Sequence, residues 1–180
     1  AHVDAVEMDP RLLQFGRENN PARAYQDPRG TTHVAARRAF LEGTDKKYDL
    51  ILFALPDSLT LVSGASALRL ESYLFTSEAM DSAKEHLAPG GAFAMYNFYR
   101  EPWLVDRLAN TLAQSFGPAP CLLSSPEAIS LAVLVVGRTP ADQTCEKTWV
   151  LTDAAPAPST DNHPFLYVKD DAGLFGIPLT

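Results

Sequence analysis

A chain of 180 residues, 46% hydrophobic and 21% charged, suits one globular domain that buries a core without staples. Its formal net charge of −7 argues against a nucleic-acid binder and against docking on anionic lipid by charge; it suits a cationic substrate, and equally plain solubility. The two cysteines, Cys121 and Cys145, form no CxxC pattern, so neither a disulfide framework nor a zinc site is expected, and a reducing compartment is the simpler reading.

The elements alternate. Val3–Glu7 reads as a strand, and Asp9-Pro10 then opens a helix, with Asp as cap and Pro in the first turn. That helix runs to about Asn19 and stops at Asn20-Pro21. Thr31–Ala35 is a second strand, followed by a short helix through Arg37, Arg38, Phe40 and Leu41 that ends at Gly43. Tyr48–Leu55 is apolar on both faces, as a central parallel strand covered by helices would be. A loop rich in Ser, Gly and Ala follows, then a helix over Thr76–Leu87, a Pro89-Gly90-Gly91 turn and a strand at Ala92–Phe98. The helix Pro102–Phe116 aligns Leu104, Leu108 and Leu112 on one face. Cys121–Ser124 and Leu131–Gly137 read as antiparallel closing strands.

This alternation predicts an α/β fold: a Rossmann-like, mostly parallel sheet with helices on both faces. Residues 1–138 form that domain, and residues 139–180 read as a linker and C-terminal extension with a strand-like run at Phe165–Val168. The longest clean apolar run, Leu131–Val136, is far short of the roughly 20 residues that span a bilayer.

Ligands of open parallel sheets bind at the carboxyl ends of the strands, which directs attention to Glu7–Asp9, Ala35–Arg37, Leu55–Ser58 and Asn97–Arg100. Glu7 can accept hydrogen bonds from ribose hydroxyls, or be a solvated acid. Asp9 is a helix cap first and a ligand contact second. Phe98 and Trp103 read as packing residues. His2, His33, His86 and His163 show no HxH or HExxH spacing, so no metal is expected, and no GxSxG elbow is present.

VDAVEMDPRLLQFG, ARRAFLEGTDKKYDLILFALPD and LFTSEAMDSAKEHLAPGGAFAM resemble successive segments of the spermidine-synthase branch of the class I S-adenosylmethionine-dependent methyltransferase superfamily, over roughly Val3–Val136. TDNHPFLYV is similar to a stretch of bacterial membrane proteins that carry such a domain. The resemblance implies S-adenosylmethionine or its decarboxylated form as cofactor, with Glu7 holding the ribose, Met8 beside the adenine, and Asp9, Ala36 and Arg37 around it. The alternative reading makes Met8 a core residue, and Arg37 and Arg38 solvated helix residues.

It also implies departures. The family's first strand and glycine-rich loop have no counterpart, so the sheet is expected to lack a central strand, the chain to be a piece of a longer protein, and cofactor binding by these residues alone to be weak. An acid that would meet the adenine amino group is replaced at Ala35-Ala36. The catalytic Asp after the fourth strand falls at Ala54, which leaves Asp57 as the candidate base, or as a loop cap. The loop Pro56–Leu70 occupies the place of the family's gate. The implied function is aminopropyl or methyl transfer to a small acceptor such as a polyamine. The alternative is a sensing or interaction domain that has lost catalysis. The implied location is the cytoplasmic face of a bacterial inner-membrane protein, attached only through segments outside this chain. Exposed strand edges are expected to favour self-association.

Overall fold

The computed structural model describes residues 1–54, 70–99, 101–124 and 131–168. Their contacts divide the chain into two compact units, Ala1–Asp45 and Lys46–Thr180.

In the first unit, β1 (Val3–Glu7) pairs in parallel with β2 (Gly30–Val34), Glu7 opposite Val34. Between them runs α1 (Pro10–Asn19), whose first turn is fixed by Asp9 Oδ1 accepting from the Arg11 N–H at 2.8 Å and by Pro10. The entry to β2 is held by Asp27, whose Oδ1 accepts from the Arg29 side chain (2.9 Å) and backbone N–H (2.8 Å). The side-chain bond first, and the backbone bond second, hold that carboxyl below its ordinary pKa. A short helix, α2 (Arg37–Glu42), follows β2. Leu13 of α1 and Leu41 of α2 are buried.

The second unit is a four-stranded sheet in the order β3-β4-β6-β5. Its strands are β3 (Tyr48–Ala54), β4 (Leu87–Phe98), β5 (Cys121–Ser124) and β6 (Leu131–Gly137). β3 and β4 are parallel, whereas β6 runs antiparallel to both β4 and β5, so the architecture is partly parallel. β1 and β3 belong to different sheets. The expected turn at Pro89-Gly90-Gly91 lies inside β4, where the register jumps from Tyr48↔Leu87 to Leu50↔Ala92. Gly91 is required there: a Cβ would sit 2.9 Å from the carbonyl oxygens of Ala88 and Tyr48.

α3 (Ser77–Glu85) and α4 (Pro102–Phe116) cover one face of this sheet. Ile51, Phe53, Phe93, Met95, Leu134 and Val136 are buried there, with Phe93 between Phe53 and Phe116 at centroid distances of 4.9 and 5.8 Å. The other face departs from expectation. Leu50 and Leu52 of β3 are 55% and 49% exposed, so among the described residues little packs on that face of β3. Phe98, expected to pack, is 49% exposed.

Residues 139–168 carry no long helix or strand, yet they are fixed to the second unit as a strap. Trp149 Nε1 donates to Asp106 on α4 (2.9 Å), and Asn110 Nδ2 to the Pro156 carbonyl (3.0 Å). The buried Arg107 donates to the carbonyls of Phe165 (2.6 Å) and Leu166 (3.1 Å). Thr76, the cap of α3, donates to Asp161 at 2.7 Å, and the Asp161 N–H donates to Glu78 at 3.0 Å. The composition signals irregular backbone; the polar groups that such backbone exposes are met here by side chains of the helices. The expected strand at Phe165–Val168 is instead a turn, closed by the Val168 N–H on the Phe165 carbonyl.

Cys121 and Cys145 form a disulfide with Cα atoms 5.2 Å apart, which overturns the expectation of free thiols. They are 24 residues apart in sequence, and β5 brings them together by running beside the strap. Leu122 N–H donates to the Lys147 carbonyl and Trp149 N–H to the Pro120 carbonyl, each at 2.9 Å. Among the described residues no helix is long and apolar enough to cross a membrane.

Candidate cofactor site

The carboxyl end of β1 places a carboxylate at a point where the backbone turns into a helix. Glu7 is the last residue of the strand, and its carbonyl still takes the Ala35 N–H at 3.2 Å, extending the ladder with β2 by one rung. Its side chain is 31% exposed. Oε1 accepts the Asp9 N–H at 3.0 Å, and Oε2 lies 3.8 Å from a terminal nitrogen of Arg37. A carboxylate has about four acceptor positions, and the Asp9 N–H bond takes one of them here. The part-exposed acid therefore keeps acceptor capacity for hydroxyl donors such as those of a ribose.

The remaining predicted residues of this unit fall around it. Asp9 caps α1 with its side chain while its N–H meets Glu7, so one residue sets both the helix start and the acid. Met8 is 58% exposed, which removes the reading of it as a core residue. Ala36 is the N-cap of α2 and supplies no side-chain cap. Arg37 and Arg38, expected to be solvated, both meet acids: Arg37 meets Glu7, and Arg38 Nε meets Glu42 at 2.7 Å one turn on. Sequence spacing gave no sign of the Arg37–Glu7 pair, because it spans two elements.

On the opposite face of β1, the Asp4 carboxylate is 3% exposed and meets His33 Nε2 at 3.0 Å. His33 in turn lies 4.6 Å from the ring of Phe40. Alternation along the two strands would have found this pair, since Asp4 and Val6 share a face and Val6 is opposite His33. It supports the sheet behind Glu7 and does not reach the exposed end.

In the second unit, Ala54 ends β3 and is exposed, so a methyl group stands at that strand end. On β4, Asn97 is fully buried with its Oδ1 accepting from the Phe98 N–H at 2.9 Å, and Tyr99 is buried. Asp57, the Pro56–Leu70 gate and Arg100 lie outside the described residues, apart from the backbone of Leu70. No group of three or more His, Cys, Asp or Glu that could hold a metal ion occurs among the described residues.

No family model matches the chain. Polyamine aminopropyltransferase 2 of Bacillus anthracis is 33% identical over 98 residues, covering 51% of this chain and 25% of that protein. The chain thus spans about a quarter of the curated relative. Human methyltransferase-like protein 13, solved in complex with S-adenosylhomocysteine, is 21% identical with a TM-score of 0.58, covering 83% of this chain and 64% of that one. A spermidine synthase solved with the transition-state analogue AdoDATO is 13% identical with a TM-score of 0.57, covering 91% of this chain and 54% of that one. Together with the parallel pairs β1–β2 and β3–β4, these likenesses show that the chain has the Rossmann-like fold of spermidine synthases and class I S-adenosylmethionine-dependent methyltransferases.

Proposed function

We propose that this chain contributes the ribose-binding side of a site for S-adenosylmethionine or decarboxylated S-adenosylmethionine, in a protein that transfers a methyl or aminopropyl group to a small acceptor such as a polyamine. The observation that carries the reading is Glu7: a part-exposed carboxylate at a strand end, oriented by a backbone N–H and left with acceptors for a diol. Met8 would lie beside the adenine, with Ala36 flanking the cofactor and Arg37 next to Glu7, and Asp57 would face the acceptor. The likeness to an aminopropyltransferase and to a methyltransferase solved with S-adenosylhomocysteine supports the same class of ligand.

Calorimetry on the full-length protein with S-adenosylmethionine, its decarboxylated form and methylthioadenosine tests this. Saturable binding lost in Glu7→Ala is the expected result. If none binds, or if Glu7→Ala binds as the parent does, the reading fails.

A second reading, a ligand-sensing domain without catalysis, is favoured by Ala54, which puts a methyl at the strand end where the family resemblance calls for a base. Binding without any transfer of label to putrescine or another acceptor amine would establish it. The proposed attachment to a membrane rests on the TDNHPFLYV likeness. The cytoplasmic side does not fit the Cys121–Cys145 bridge, since such bonds persist where thiols are not kept reduced.

A further inference from the structure

We infer that Arg37 is the positioning residue of this site: across the gap between β1 and α2, its guanidinium fixes the plane of the Glu7 carboxylate for a vicinal diol. This rests on the ribose reading above.

A glutamate at a strand end has a long side chain, and one hydrogen bond leaves its carboxylate free to swing. Here the Asp9 N–H holds only Oε1, at 3.0 Å. Arg37 approaches the other oxygen, at 3.8 Å. That distance is within ion-pair range but beyond a hydrogen bond. The guanidinium therefore fixes the orientation of the carboxylate by charge without occupying the acceptor positions of Oε2. Two hydroxyls of a ribose need acceptors that are both oriented and open, and the pair of contacts supplies both conditions.

The neighbouring Arg38 is an internal control. It is bonded to Glu42 within its own helix, at 2.7 Å, and touches Glu7 in no described contact. Both partners of the Arg37–Glu7 pair are 31% exposed, so water and salt screen it. A pair of this kind is worth roughly a two- to fivefold effect in affinity.

The test is calorimetry of S-adenosylhomocysteine binding to the full-length protein at low and high salt. Arg37→Ala and Arg37→Gln are expected to weaken binding about two- to fivefold, Arg37→Lys to restore it to within about twofold, and Arg38→Ala to leave it unchanged. The Arg37→Ala defect should shrink at high salt. It should vanish in a Glu7→Ala background, because the positioned group is then gone. If Arg37→Ala binds as the parent does while Glu7→Ala is weakened, the positioning role is overturned and the ribose reading survives. If the Arg37→Ala loss persists in the Glu7→Ala background, Arg37 touches the ligand itself and the positioning role is again overturned. If Glu7→Ala binds as the parent does, or the parent shows no saturable binding, the ribose reading falls and this inference falls with it.

Discussion

The first 45 residues and the rest of the chain are built to different ends. The first unit has a thin core around Leu13 and Leu41 but presents an oriented acid at a strand end. The second has a dense core, a disulfide and a hydrogen-bonded strap, yet its strand β3 ends in the methyl of Ala54. The contrast teaches that the acid of the candidate site and the groups that stabilise the fold occupy different stretches of sequence. Changes in one should therefore move binding with little effect on stability, and changes in the other should do the reverse.

The largest expected effect probes the methyl at the end of β3. Ala54→Asp would supply a carboxylate at the strand end, and a positioned base contributes about 10²- to 10⁴-fold in rate. The expected outcome is a rise of that order in aminopropyl transfer to putrescine, measured as spermidine formed from decarboxylated S-adenosylmethionine. Rapid transfer by the parent, left unchanged by Ala54→Asp, would break the contrast, because catalysis would then not need that position.

Next is the bridge of the second unit. Closing a loop of 24 residues stabilises the folded state by about 3 kcal/mol on the chain-entropy account. Cys145→Ser should lower the melting temperature of the second unit by about 10 °C and speed proteolysis of the strap near Lys147. Affinity for S-adenosylhomocysteine should change by less than twofold. Glu7→Ala should show the opposite profile. Losing charge-assisted bonds to two hydroxyls costs about 2 kcal/mol, roughly 30-fold in affinity, with the melting curve unmoved.

What could be read in the sequence was local. β1 runs from Val3 to Glu7 as its alternation predicts, Asp9-Pro10 opens α1, and β5 and β6 are antiparallel neighbours. What escaped depends on partners distant in the chain. The Cys121–Cys145 pair requires the strap to run back beside β5, and nothing in either cysteine's neighbourhood encodes that return. The strap reads as a linker because Pro and Ala mark irregular backbone, while its anchors, Asp106, Arg107, Asn110 and Thr76, lie on helices far upstream. At the candidate site, Glu7 was legible by its place at a strand end. The Arg37–Glu7 pair was not, because an arginine in a helix's first turn looks the same in sequence whether it meets water or an acid two strands earlier, here on β1.

The smallest effect separates the two tasks of Asp9. Its side chain caps α1 through the Arg11 N–H, while its backbone N–H, which a substitution to alanine retains, orients Glu7. Asp9→Ala should therefore cost the cap, about 1 kcal/mol. It should be seen as faster amide hydrogen exchange in the first turn of α1, with S-adenosylhomocysteine affinity within twofold of the parent. Asp9→Pro removes the N–H as well and should lower affinity in step with Glu7→Gln, because the carboxylate then loses the bond that holds Oε1. An Asp9→Ala variant as weak as Glu7→Ala would make the side chain itself a ligand contact. The acid of the first unit would then be two acids, and its contrast with the bare end of β3 would be sharper still.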